Sequence, residues 1–198
     1  MPGCKPASIC FRKKPRRGRC WTASRAATCT RTPLRFRKAQ TASTSPAWLE
    51  SADRYTRHTT EEQLLQRMLA RFREAWQEAG GSRARGDAHT LVTLASLVEK
   101  ESAVPAERPL VSAVYHNRLR LNMRMDADPS VIYAALLEGR YRGTIYRSDL
   151  DRDHPYNTYR RAGLPPGPIA NPGLGALRAA IAPANVDYLY FVAEPGGS

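Results

Sequence analysis

Charge is distributed so unevenly along this 198-residue chain that it limits where a fold can form. Residues 1–49 hold 12 Lys/Arg and no Asp or Glu, together with all four cysteines. From Glu50 onward, 19 basic residues face 18 acidic ones. Nearly all of the formal charge of +13 therefore belongs to the first quarter, and the remainder is nearly neutral. No helical or strand period persists through 1–49, and its apolar content is too thin to offset chain entropy. Residues 1–49 are expected to be a disordered basic tail, and residues 50–198 the folded domain. The abrupt change near residue 50 also fits an upstream stretch read in a foreign frame, which resequencing the gene would test.

The same division removes several functions. A basic chain usually suggests a nucleic-acid partner, but here the charge lies in the tail alone, so no nucleic acid is expected. Salt-dependent DNA binding that vanished with residues 1–49 would support that rival. Cys4, Cys10, Cys20 and Cys29 lack the close ligand spacing of a zinc site. His58, His89, His116 and His154 form no metal spacing either. No metal or organic cofactor is implied. No apolar run reaches the roughly 20 residues of a membrane span, and no signal-peptide pattern opens the chain.

Downstream of the tail the periodicities are clear. Thr59-Thr60-Glu61-Glu62 predicts a helix start, Leu64, Leu65, Met68, Leu69, Phe72 and Trp76 its apolar face, and Gly80-Gly81 its stop. Asp87 predicts a cap for a second helix with Leu91, Leu94, Ala95, Leu97 and Val98 inside. A third helix is expected over Ala106–Leu121, with Leu110, Val111, Val114 and Leu119 as core. A short fourth opens at Asp128-Pro129, with Asp128 as its cap, and runs through Val131, Ile132, Ala135 and Leu136. Residues 139–172 read as turns, Leu174–Ile181 as a fifth helix, and Tyr188–Val192 as a strand. The fold class is α+β: a mainly helical domain with a small antiparallel sheet.

Two carboxylates stand near the end of the second helix. At about 100° per residue, Glu101 falls inside the apolar arc, Glu99 at its margin and Lys100 opposite. An inward carboxyl is costly as an anion, so its pKa rises and it can donate a proton near neutrality. On periodicity alone such a Glu is more often solvated or salt-bridged, with Arg108, Arg118 and Arg120 as partners.

Leu97-Val-Glu-Lys-Glu-Ser-Ala-Val104 resembles the signature of endolytic murein transglycosylases, the YceG-like family. The likeness continues through Val114-Tyr-His-Asn-Arg-Leu119, Met125-Asp-Ala-Asp-Pro-Ser-Val-Ile-Tyr133, Tyr156-Asn-Thr-Tyr159, Gly163-Leu-Pro-Pro-Gly-Pro-Ile-Ala-Asn-Pro172 and Tyr188-Leu-Tyr-Phe-Val-Ala193. Asp126 and Ser130 depart from the Gln and Thr frequent in the family. The resemblance implies that peptidoglycan glycan strands are cut between N-acetylmuramic acid and N-acetylglucosamine without water, leaving a 1,6-anhydro ring. It implies Glu101 as the catalytic acid and base. Ser102, Asn117, Asp126, Tyr156, Asn157 and Tyr159 are candidates for substrate binding.

For the polar candidates a packing role stands beside the binding one. Asn157 can make an Asx turn, and Asn117 can either line a cleft or bond between helices. Leu164-Pro-Pro-Gly167 is expected to shape a cleft wall. Asp126 and Asp128 are the second acids to exclude. By resemblance the protein sits in the bacterial inner membrane facing the periplasm, near cell-wall synthases. The family's anchor and LysM-like domain are not visible here, and the sequence reads as a fragment at both ends. A glycan-binding remnant without activity is the remaining alternative.

Overall fold

A computed structural model describes residues 9–13 and 59–193 of the chain. The remaining tail expectations lie outside the described residues. The domain is mostly helical. In order come β1 (Ile9–Lys13), α1 (Glu61–Glu78), α2 (Ala88–Glu101), α3 (Arg108–Arg120), α4 (Asp128–Leu137), α5 (Arg147–Leu150), α6 (Leu174–Ile181) and β2 (Tyr188–Ala193). Single 3₁₀ turns precede α2 and α3, at Gly81–Arg83 and Pro105–Glu107.

Helix α2 is the centre. Leu91, Leu94, Ala95, Leu97 and Val98, the expected inner face, are all buried, and so are Thr93 and Ser96. Each large apolar side chain removed from water contributes about 1.5–3 kcal/mol. Helices α3, α4 and α6 pack around α2. The Pro-rich stretch before α6 lies along it as well. Ile169 N donates to Ser96 Oγ at 3.0 Å, and Gly173 N to Glu99 Oε2 at 3.0 Å. The stretch just after Leu164-Pro-Pro-Gly167 thus backs the central helix.

The helix starts follow local chemistry. Thr60 and Gln63 form a reciprocal capping box at α1. The Asp87 carboxylate accepts the Thr90 amide at 2.8 Å at the head of α2. Replacing Asp87 by Ala is expected to destabilise the domain, because the Thr90 amide loses its acceptor. An unchanged urea midpoint would show that this cap contributes nothing. Gly80, at φ +91°, ends α1, and a Cβ on Gly81 would sit 2.2 Å from the Trp76 ring.

Four expectations need correction. Ala127, not Asp128, occupies the cap position of α4, and Asp128 stands in its first turn. Its carboxylate is engaged elsewhere, as described below. Leu136 is exposed (56%) because it points away from α2. Leu65 and Leu69 are also more than half exposed, since only the end of α1 nearest α6 is covered. Helix α5 was unpredicted because four residues carry no readable period.

Among the described residues of the domain no second strand accompanies β2, so the expected small sheet within it is not shown. Residues 59–193 contribute one strand, β2. Its antiparallel backbone partner is Ile9–Lys13, with Phe11 opposite Phe191.

Candidate active site

Glu101 is the last residue of α2. Its side chain is partly buried and faces α3 and α4, as the helix geometry predicts, while Lys100 is exposed. Enclosure raises its pKa from 4.5 to about 7, and the negative charge of Asp128 adds to the rise. Tyr115 and Arg118 pull in the opposite direction. The carboxyl also sits at the negative end of a helix dipole, which disfavours its anion.

The neighbouring acid, Glu99, has a different position and a different task. It pairs with Arg108 at 3.0 Å and accepts the Gly173 amide, tying α2 to the starts of α3 and α6. Of the arginines considered as partners for Glu101, only Arg118 acts on it. Arg120 instead donates to Asn117 Oδ1 at 3.0 Å.

Helix α3 supplies two groups, Arg118, which the sequence reasoning offered as a partner for Glu101, and Tyr115, which it did not place in the site. Tyr115 and Arg118 are three apart and share a face. Tyr115 is fully buried, with its ring edge-on to Phe191. Its hydroxyl makes no hydrogen bond of standard geometry, yet it interacts with the Glu101 carboxyl. Geometry decides here: the contact is loose, a group within reach rather than a bond formed. Burial first, and the Glu101 charge second, push the Tyr115 hydroxyl well above its ordinary pKa, so it remains a proton donor. A core-facing stripe of Val111, Tyr115 and Arg118 was the available signal, because a Tyr and an Arg on a buried face need partners.

Arg118 is buried and joins several segments. It donates to Leu189 O at 2.8 Å and Met125 O at 2.6 Å, and pairs with Asp126 at 3.6 Å. Its guanidinium lies over the Tyr190 ring. Asp126 adopts φ 49°, a left-handed conformation that short Asp tolerates, and also pairs with Arg124 at 3.5 Å.

The remaining side of the site is α4 and the turn beyond α5. Thr158 Oγ1 accepts the Ala127 amide at 3.0 Å and contacts Ser130 Oγ at 2.8 Å, both buried. These bonds hold the start of α4 against the Tyr156–Tyr159 turn. Tyr159 Oη then donates to Asp128 Oδ1 at 2.5 Å. Burial and the surrounding carboxylates, Asp128 foremost, raise the Tyr159 hydroxyl above its usual pKa.

Not every candidate meets at Glu101. Ser102 is buried and donates to Val104 O at 2.9 Å, shaping the turn after α2. Asn117 donates to Val186 O and Tyr188 O at 2.9 Å each, holding the approach to β2 rather than Glu101. Asn157 is buried, its amide donating to the carbonyls of Asp149, Leu150 and Arg152, while Tyr159 N donates to its Oδ1 in an Asx turn. Tyr156 packs on Tyr133 with ring centroids 4.9 Å apart. Gly167 is a close approach, where a Cβ would come within 3.2 Å of Tyr156 Oη. A groove of about 580 Å³ lies on the other face of α3, lined by His116, Asn117, Arg120 and the 183–188 loop, and does not include Glu101.

A raised carboxyl beside a second acid, with a tyrosine pair and a buried Arg around them, can be set against known proteins. A profile of the YceG-like family matches residues 26–198. The chain belongs to the YceG-like family. It is 45% identical over 109 residues to an endolytic murein transglycosylase of Bacillus subtilis, covering 55% of this chain and 29% of that protein. An endolytic murein transglycosylase of Streptococcus pneumoniae is 38% identical over 109 residues, covering 52% and 19%. The crystal structure of a yceG-like protein from Listeria monocytogenes superposes with a TM-score of 0.59 at 34% identity, covering 70% of this chain and 46% of that one. This YceG-like chain thus spans under a third of the curated relatives it matches. Among its described residues no helix is long and apolar enough to cross a membrane.

Proposed function

We propose that this YceG-like chain carries the catalytic centre of an endolytic lytic transglycosylase acting on peptidoglycan, with Glu101 as acid and then base. The observation that carries the reading is the Glu101 carboxyl, enclosed at the end of α2 with a pKa of about 7. Such a group is available in both protonation states near neutrality, which is what one carboxyl needs to serve two steps. The names of the relatives support the substrate class.

Protonated Glu101 gives its proton to the glycosidic oxygen between N-acetylmuramic acid and N-acetylglucosamine. The C1–O bond breaks, and its electron pair leaves with the N-acetylglucosamine oxygen. The muramic C6 hydroxyl attacks C1, and its proton passes to the Glu101 carboxylate. A 1,6-anhydro ring forms, Glu101 regains its proton, and no water is consumed. Asp126, Tyr156 and Tyr159 are the candidates left to contact the sugars, since the Ser102, Asn117 and Asn157 side chains are committed internally. On this reading the enzyme faces the periplasm and works near the synthases that supply its strands, and the relatives' names support a cell-wall setting.

Digestion of peptidoglycan in ¹⁸O-water, followed by mass spectrometry of the fragments, tests the reaction. Anhydromuramyl ends free of ¹⁸O are expected. Reducing ends carrying ¹⁸O would make the protein a hydrolase. A folded chain that binds glycan without cutting it would make it a binding module.

A further inference from the structure

The mechanism above uses one carboxyl, yet a second stands beside it. Asp128 enters the site from the first turn of α4, and its charge acts on Glu101. Ordinary glycosidases use such a second carboxylate as nucleophile or as base for water. Here one of its oxygens is taken by the Tyr159 hydroxyl at 2.5 Å. Behind Tyr159 the arrangement is rigid: its amide donates to Asn157, and Thr158 and Ser130 lock the turn to the head of α4. The start of a helix is also a favourable place for an anion.

We infer that the Asp128–Tyr159 pair is a positioning device, in which the Tyr159 hydroxyl holds the Asp128 carboxylate at the head of α4 as a fixed negative charge that faces the cationic sugar of the transition state. The inference rests on the transglycosylase reading of Glu101. It assigns Asp128 an electrostatic task with no bond made or broken. Two effects follow from one charge. A negative neighbour raises the proton affinity of the acid. An anion near the anomeric carbon stabilises an oxocarbenium-like transition state. The groups facing Glu101 are Tyr115 and Arg118 from α3, Asp128 from α4, and Tyr159 from the loop. Asp126 lies close to Tyr159, but its charge is shared with Arg118 and Arg124.

The test compares the wild-type chain with Asp128→Asn, Asp128→Glu and Tyr159→Phe. Turnover is measured from pH 5 to 9, and the Glu101 carboxyl is titrated by ¹³C NMR without substrate. Asp128→Asn keeps shape and an acceptor for Tyr159 but loses the charge. It is expected to lower the Glu101 titration midpoint, and with it the alkaline limb of kcat/KM, by about one pH unit. Its kcat is expected to fall with little change in KM, as for a group that acts in the transition state. Asp128→Glu restores the limb in part. Tyr159→Phe keeps the charge, so the midpoint stays nearer the wild-type value while kcat drops. A Glu101 midpoint unmoved by Asp128→Asn in a folded protein overturns the inference, whether or not the chain turns over. An inactive wild-type chain with a shifted midpoint would instead sink the transglycosylase reading and leave the coupling standing.

Discussion

Glu101→Gln is expected to lose roughly 10²- to 10⁴-fold in turnover, the range for removing a general acid/base, and at the same time to unfold less readily at alkaline pH. Both outcomes come from the same burial. The folded carboxyl holds its proton up to about pH 7, against 4.5 for a free one. Its stabilising effect is thus complete below pH 4.5 and is lost as the pH rises through 7. Above that, the folded state must hold an enclosed anion. Gln cannot ionise, so the variant should match the wild type near pH 4.5. By pH 8.5 it should exceed the wild type by up to about 3 kcal/mol, at 1.36 kcal/mol per pKa unit. Urea unfolding at both pH values measures this. Equal stabilities at pH 8.5 would mean that the carboxyl is solvated and unsuited to be the acid. Retained turnover would remove Glu101 from the mechanism.

Arg118→Met should cost about 1–3 kcal/mol, the penalty for leaving buried acceptors without their donor. Met preserves the apolar stem but strands the carbonyls of Leu189 and Met125, each without its Arg118 donor. The pairing of Asp126 with α3 is lost as well. Because Arg118 favours the Glu101 anion, the variant should also move the Glu101 midpoint upward. Denaturant melts and the same carboxyl titration measure the two effects. A loss under 1 kcal/mol would mean that water replaces the guanidinium without difficulty, and that β2 is held by other contacts.

Much of this was legible in order along the chain. Asp87 and Thr60 announced helix starts because capping is a local matter of one side chain and an amide three residues on. The inner face of α2 followed from period alone, and the same period turned Glu101 inward and Lys100 outward. The motifs carried the family likeness, which the profile over residues 26–198 establishes. Separating Asn157, a loop organiser, from Tyr159, which reaches the Asp128 carboxylate, was beyond the sequence. Both are polar residues in one turn-rich stretch, and their difference lies in which partners fold back onto them. Likewise the apolar face of α1 read as core, but its burial depends on what neighbours it, and Leu65 and Leu69 remain exposed.

Glu101's orientation is the one site property that the sequence by itself determined, because a helix converts spacing into direction. Its chemistry was decided by tertiary structure. Asp128 lies 27 positions further along the chain, and Tyr159 another 31. The effect of Asp128 on the Glu101 proton exists only because α4 packs against α2, and Tyr159 reaches the Asp128 carboxylate from the turn beyond α5. Electrostatic coupling falls with distance in space and is blind to separation along the chain.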